Sequence, residues 1–221
     1  MLFLWGLSLT SPIDSSIIAT IVPVLTMVLA TVFLREPITW LKSGGVALGC
    51  FGALLLVALS RHGGGQASSV MGDALCIVSA VSYAVYLTAF RDTIVKYSPV
   101  TTMKWMFLFA AVSAAAIYYR PLAGVDYGAL EPATWGGIGY VVVCSTFVSY
   151  LMVPVGQRFL RPTVVSMYNY VQPVVAVVFT VLAGLDTFGP AKGVAAACVF
   201  AGVWLVTKSR SRAQMEAEGR R

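Results

Sequence analysis

Seven long apolar stretches constrain this chain more than any other feature. They lie near residues 13–34, 38–59, 70–90, 99–119, 133–156, 163–184 and 188–207, and each matches the roughly 20 residues that a helix needs to cross about 30 Å of hydrocarbon. The runs are apolar on every side rather than alternating as barrel strands do, so backbone groups inside lipid must be paired within helices. The whole chain is 58% hydrophobic and 11% charged, whereas soluble domains average about 45–50% and 25%. The fold class is therefore all-α, a polytopic membrane helical bundle with seven complete transmembrane helices, numbered below as spans one to seven. Residues 1–12, "MLFLWGLSLTSP", rise only about 15 Å as a helix and lack the basic start and cleavage site of a signal peptide. They read as the end of an earlier helix, with upstream helices absent from this chain.

A net charge of +6 in a soluble protein would suggest nucleic acid, but in a membrane protein the side on which the charges fall matters more. One set of alternate loops, with the C-terminal tail, holds Arg35, Lys42, Arg91, Lys96, Lys104, Arg158, Arg161, Lys208, Arg210, Arg212, Arg220 and Arg221. The other set holds Arg61, Arg120 and Lys192. Twelve against three predicts a cytoplasmic C-terminus and an external residue 1. The expected partners are a lipid bilayer and a small-molecule metabolite, with no nucleic acid, and the expected location is a bacterial cytoplasmic (inner) membrane.

Sliding the chain by 150 residues without a gap superposes Pro12 on Pro162, Ser16 on Ser166, Pro23 on Pro173, Glu36 on Asp186, Lys42 on Lys192 and Gly52 on Gly202. The hairpin of spans one and two thus recurs as spans six and seven. The turn "LREPITWLKSGG" falls on the cytoplasmic side by the charge pattern and "GLDTFGPAKG" on the external side. Equivalent hairpins pointing opposite ways are the inverted duplication found in many transporters. The offset corresponds to five spans per repeat, hence to ten helices in two inverted five-helix repeats.

The stretch "SSIIATIVPVLTMVLATVFLREPITWLKSGGVALGCFGALLLV" resembles the fourth and fifth helices of the EamA branch of the drug/metabolite transporter superfamily. That pattern has a mid-helix proline, a leucine-glycine-glutamate turn and a glycine-rich following helix. Span three, "GDALCIVSAVSYAVYLTAFRD", is similar to the opening helix of the family's second repeat. The resemblance covers residues 1–207 and implies ten helices with both termini cytoplasmic, and a carrier, an exporter of amino acids or related compounds. It divides the chain into the end of a first EamA-type repeat (1–59), an external linker (60–69), a second repeat (70–207) and a basic cytoplasmic tail (208–221). The chain departs from the pattern in carrying Arg35 where glycine is usual, and in lacking the first helices.

The prolines point to the site. In a helix, Pro23 cannot donate to the carbonyl of Ala19, and Pro173 leaves that of Asn169 unpaired, so each helix kinks and exposes an acceptor near mid-membrane. Irregular backbone at that depth is tolerated where protein or a cavity covers it. On span six, Ser166, Asn169, Tyr170 and Pro173 share one helical face, flanked by Gln172 and Tyr168. Span three offers Ser79, Ser82, Tyr83 and Tyr86, span five Ser145, Ser149 and Tyr150, and span one Ser16, Thr20 and Pro23. The candidate substrate-binding residues are Ser16, Thr20, Pro23, Ser79, Tyr83, Tyr86, Ser149, Ser166, Asn169, Tyr170, Gln172 and Pro173. Interhelical hydrogen bonding is the competing role for each polar group. A wall of hydroxyls, aromatics and amides suits a small amphipathic or zwitterionic metabolite.

No enzyme, cofactor or metal chemistry is expected. Every carboxylate falls at a span end, in a loop or in the tail, so no proton-relay acid stands within a span. Asp73, Glu36 and Asp186 are expected to support helix N-termini. Cys50, Cys76, Cys144 and Cys198 lie inside spans without metal-ligand spacing, and the sole histidine, His62, lies in the linker. Two alternatives remain open: a seven-helix receptor-like protein, against which the repeat argues, and a non-functional transporter fragment.

Overall fold

A computed structural model of the chain describes residues 2–59, 69–125, 128, 130–182, 184 and 189–209. Among these, the elements are helical, and seven runs of 19 to 28 residues are long and apolar enough to cross a membrane: Asp14–Leu34, Trp40–Leu59, Val70–Ala89, Pro99–Arg120, Pro132–Phe159, Pro162–Leu182 and Pro190–Lys208. The spans expected from sequence agree to within a few residues. Most of the expected linker and tail, with His62 and Asp186, lies outside the described residues. By packing, the chain divides into two compact units, Met1–Phe90 with Arg161–Arg221, and Arg91–Leu160.

The first unit contains α1 (Leu2–Leu9), α2 (Pro12–Ala19), α3 (Val22–Leu34), α4 (Trp40–Leu59), α5 (Val70–Ala89), α10 (Pro162–Met167), α11 (Val171–Leu182) and α12 (Pro190–Lys208). The short segment 2–9 is indeed helical, and it packs on α5 glycine to glycine. A Cβ at Gly6 would lie 2.9 Å from the Gly72 carbonyl oxygen. Asp73, in the first turn of α5, accepts a hydrogen bond from Thr10 Oγ1, so it ties α5 to the α1–α2 junction. Ser11 caps α2, accepting from the Asp14 amide at 3.0 Å. At the matching position before α10, Arg161 donates instead to the Ser209 carbonyl at 2.8 Å, closing the C-terminal end of α12.

The contact between α4 and α12 is reciprocal. A Cβ at Gly52 would meet the Ala195 carbonyl oxygen at 2.7 Å and the Val199 amide nitrogen at 2.9 Å; one at Gly202 would meet the Gly45 carbonyl oxygen and the Gly49 amide nitrogen, each at 2.6 Å. Subtracting 150 turns Ala195, Val199 and Gly202 into positions 45, 49 and 52. Each glycine therefore faces the same two backbone atoms of the other helix, which is the pattern of an isologous contact about a local two-fold axis. Early residues of one helix meet late residues of the other, so the two run antiparallel.

The α3–α4 turn explains the departure at Arg35. Arg35 ends α3 in the left-handed conformation, φ 51° and ψ 35°, and is the one non-glycine residue with positive φ among those described. Glycine is the usual occupant of this helix-ending position because it has no Cβ to clash. The following Glu36 does more than support the next helix: Lys42 Nζ donates to its Oε2 at 2.7 Å, with both residues buried. Lys42 thus enters the membrane boundary neutralised, and Lys192 is buried as well. Leaving both aside, the loop charges still divide eleven against two.

The second unit contains α6 (Arg91–Lys96), α7 (Pro99–Ala123), α8 (Pro132–Tyr140) and α9 (Ser149–Phe159), with a π-helical stretch, Val141–Val148, joining α8 to α9. Span five is therefore wound α, then π, then α, and carries Pro154 inside α9. Neither α6 nor the π stretch was expected from sequence. Phe107 meets Phe147 and Tyr150 with ring centroids 6.3 Å apart, and Arg158 donates to the Tyr97 carbonyl at 2.7 Å.

Candidate functional site

Spans one and six are each interrupted by a turn of tighter winding beside the proline. In span one α2 ends at Ala19, and the chain tightens through Thr20 and Ile21, whose amides reach the carbonyls of Ile17 and Ile18 at 3.0 Å. Helix resumes at Val22, with Pro23 at its second position. In span six α10 ends at Met167, a 3₁₀ turn covers Tyr168–Tyr170, and α11 resumes at Val171, with Pro173 as its third residue. Each proline thus opens a new helix, where its missing N–H leaves no hydrogen bond unmade. The sequence predicted a kink at each proline, and the backbone stays in the right-handed helical region through both turns; the i to i−3 bonding that tightens each break is not visible in residue type.

A side chain joins the two spans at this level. Tyr170 is fully buried, and its hydroxyl donates to the Thr20 carbonyl at 2.9 Å. Its ring lies against Gly49, where a Cβ would come within 2.7 Å of it. Positions 20 and 170 are equivalent in the repeat. Irregular backbone that would be costly in lipid is here satisfied from within the bundle.

Beside the breaks lies a cavity of about 390 Å³. Its polar wall is Ser15, Ser16, Thr20, Asn169, Gln172 and Thr180, and its apolar wall includes Phe3, Leu56, Val57, Pro173 and Val177. No lining residue is ionisable. Among the described residues, the Asn169 and Gln172 amides make no hydrogen bond within the protein. Thr20 Oγ1 turns back to the Ile17 carbonyl at 2.6 Å.

Of the residues singled out from sequence, Ser16, Thr20, Asn169, Gln172 and Pro173 are brought together here. Pro23, Ser166 and Tyr170 are buried outside the lining, with Ser166 Oγ bonded to the Thr163 carbonyl at 2.9 Å. Ser79, Tyr83 and Tyr86 stand on α5, outside the lining, the two tyrosine rings stacked 6.2 Å apart. Ser149 belongs to the other unit, where it is exposed and donates to the Cys144 carbonyl at 3.1 Å across the π stretch. Sequence reasoning missed Thr180, although it continues the face of Asn169, Pro173 and Ala176 at helical spacing. Nothing in the sequence flags Phe3. Among the described residues, no cluster of His, Cys, Asp or Glu could hold a metal ion.

Comparison with known proteins agrees with this architecture. The pattern of the EamA-like transporter family matches residues 1–58 and 70–208. A Bacillus subtilis (strain 168) protein described as an uncharacterized transporter, YyaM, is 24% identical over 83% of this chain and 60% of its own length. An uncharacterized transporter of Archaeoglobus fulgidus is 26% identical over 62% of this chain and 46% of its own. The chain thus spans about half to three fifths of these relatives. A solved structure titled "Crystal structure of protein" shares the fold, with TM-score 0.78 at 18% identity, covering 94% of this chain and 72% of that one.

Proposed function

The chain belongs to the EamA-like transporter family and is an integral membrane protein, and we propose that it acts as a carrier, an exporter of a small metabolite such as an amino acid or a related compound. It works by alternating access between inverted repeats, residues 1–59 ending the first and 70–207 forming the second, in a bacterial inner membrane with the tail from 208 in the cytoplasm. The observation that carries this reading is the reciprocal antiparallel contact of α4 and α12, beside a cavity that takes walls from both broken spans. Two antiparallel copies of one hairpin can exchange roles, opening the site first to one side and then to the other. A wall of hydroxyls and amides set among apolar side chains supports a small amphipathic solute. The remaining excess of basic loop charge supports the cytoplasmic tail.

The test is side-directed labelling of Thr180→Cys, in a cysteine-free background, in sealed proteoliposomes. A membrane-impermeant maleimide is expected to reach the cavity from both faces of the bilayer. Reaction from one face alone contradicts alternating access.

A further inference from the structure

Basic residues serve differently in the two units. In the first, Lys42 is buried against Glu36, Nζ to Oε2 at 2.7 Å, and Arg161 donates to the Ser209 carbonyl at 2.8 Å. In the second, Lys96, Lys104 and Arg158 are exposed. They gather where α6 passes into α7 against the end of α9, three helices that contact one another. Arg158 Nη2 donates to the Tyr97 carbonyl at 2.7 Å, which holds its guanidinium at this corner. Lys96 places its ammonium 5.7 Å from the Tyr97 ring centroid. Ser98 caps α7, accepting from the Thr101 amide at 3.1 Å. Lys104 stands one turn beyond Thr101 and leans back towards the corner, because helical side chains tilt towards the N-terminus; its ammonium lies 5.8 Å from the Trp105 ring centroid. Across α6, the first two turns of α7 and α9, four basic residues, Arg91 included, stand against one carboxylate, Asp92. The apolar side chains of Val100, Trp105 and Phe159 are exposed beside them.

We propose that this corner clasps the headgroup of an acidic phospholipid, with Lys96, Lys104 and Arg158 on its phosphodiester and Val100, Trp105 and Phe159 beside the start of its acyl chains. An arginine pairs phosphate oxygens through parallel N–H groups, and lysines at a membrane surface are drawn to anionic lipid. Their long apolar stems lie along hydrocarbon while the charged ends reach the headgroups. Tryptophan and tyrosine settle at that same depth. Cations set beside exposed apolar side chains fit a molecule that joins an anion to hydrocarbon, which free phosphate does not. The proposal does not depend on the reading of the cavity as a solute site.

The test titrates phosphatidylglycerol, phosphatidylcholine and inorganic phosphate separately into the full chain purified in a neutral detergent, and reads each affinity from the rise in melting temperature. Phosphatidylglycerol is expected to bind at least about tenfold more tightly than phosphatidylcholine. Lys96→Gln, Lys104→Gln and Arg158→Gln are each expected to weaken its binding by about two- to fivefold. Arg35→Gln removes an exposed arginine of the first unit and is expected to weaken it by less than about 1.5-fold. Arg158→Gln also forfeits the bond to Tyr97, so the two lysine variants decide the matter if it does not fold. Equal affinity for the two lipids, unchanged binding in the lysine variants, or an equal loss from Arg35→Gln overturns the proposal. Inorganic phosphate binding as tightly as phosphatidylglycerol overturns the lipid as occupant.

Discussion

The two units differ in whether their glycines are used for packing. In the first unit, Gly6, Gly45, Gly49, Gly52, Gly72 and Gly202 each face a neighbour that a Cβ would strike, while Gly44, Gly184 and Gly189 meet nothing within 4 Å among the described residues. In residues 91–160, Gly136, Gly137, Gly139 and Gly156 have open space where a Cβ would go. Gly6 is packed on α5, and its repeat equivalent Gly156 meets nothing within 4 Å among the described residues. Between 28 and 39% of the five spans in the first unit is buried, against 6% of each span in the second. A glycine in an apolar segment therefore marks close packing only where a second helix arrives. Small-residue patterns in lipid are permissive, and the partner decides whether they are used.

Melting measurements on purified protein can break or sharpen that contrast. The largest difference is expected between two lysines. Lys42→Met leaves the Glu36 carboxylate buried without its partner and should cost about 3–5 kcal/mol, whereas Lys104→Met, at an exposed position, should change stability by less than about 0.5 kcal/mol. Restoring neutrality with Lys42→Met and Glu36→Met together should recover most of the loss. Equal effects at Lys42 and Lys104 would remove the buried pair from the account.

Next come the glycines. Gly202→Ala drives a methyl group into two backbone atoms of α4 and should destabilise by about 1–3 kcal/mol. The same change at Gly137, inside α8 with nothing within 4 Å, should stabilise by about 0.5–1 kcal/mol through helix propensity. The same sign at both sites would erase the distinction between the units. Tyr170→Phe, which strands the Thr20 carbonyl, should cost about 1–2 kcal/mol; no loss would mean that the first break needs no closure. The smallest effect is a gain: Arg35→Gly should stabilise by about 1 kcal/mol by relieving the left-handed backbone, and a loss there would assign the Arg35 side chain a stabilising contact.

Span positions were legible in the sequence because length and apolarity are local properties. The prolines disclosed where the helices yield, but residue type does not show the local i to i−3 bonds that tighten the chain at Thr20 and Tyr168–Tyr170, nor the span-six phenol that reaches the Thr20 carbonyl. The polar face of span six was readable from spacing, and Asn169, Gln172 and Pro173 do line the cavity. Spacing could not exclude Ser166, because a helical hydroxyl can satisfy itself on its own backbone. Lys42 looked like an ordinary loop cation, since burial at a span end is set by whatever packs there. The π stretch left no trace, its residues Val141–Val148 being as apolar as any helix nearby.

The central claim is that the hairpin of spans one and two recurs upside down as spans six and seven. The most direct measurement is side-specific labelling of two single cysteines, Ile38→Cys in the first hairpin's turn and Gly189→Cys in the second's, in intact cells of a bacterial expression host with an impermeant maleimide. The account predicts that Gly189→Cys reacts from outside, whereas Ile38→Cys reacts only after the membrane is opened. Reaction of both from the same side would contradict the inverted repeat.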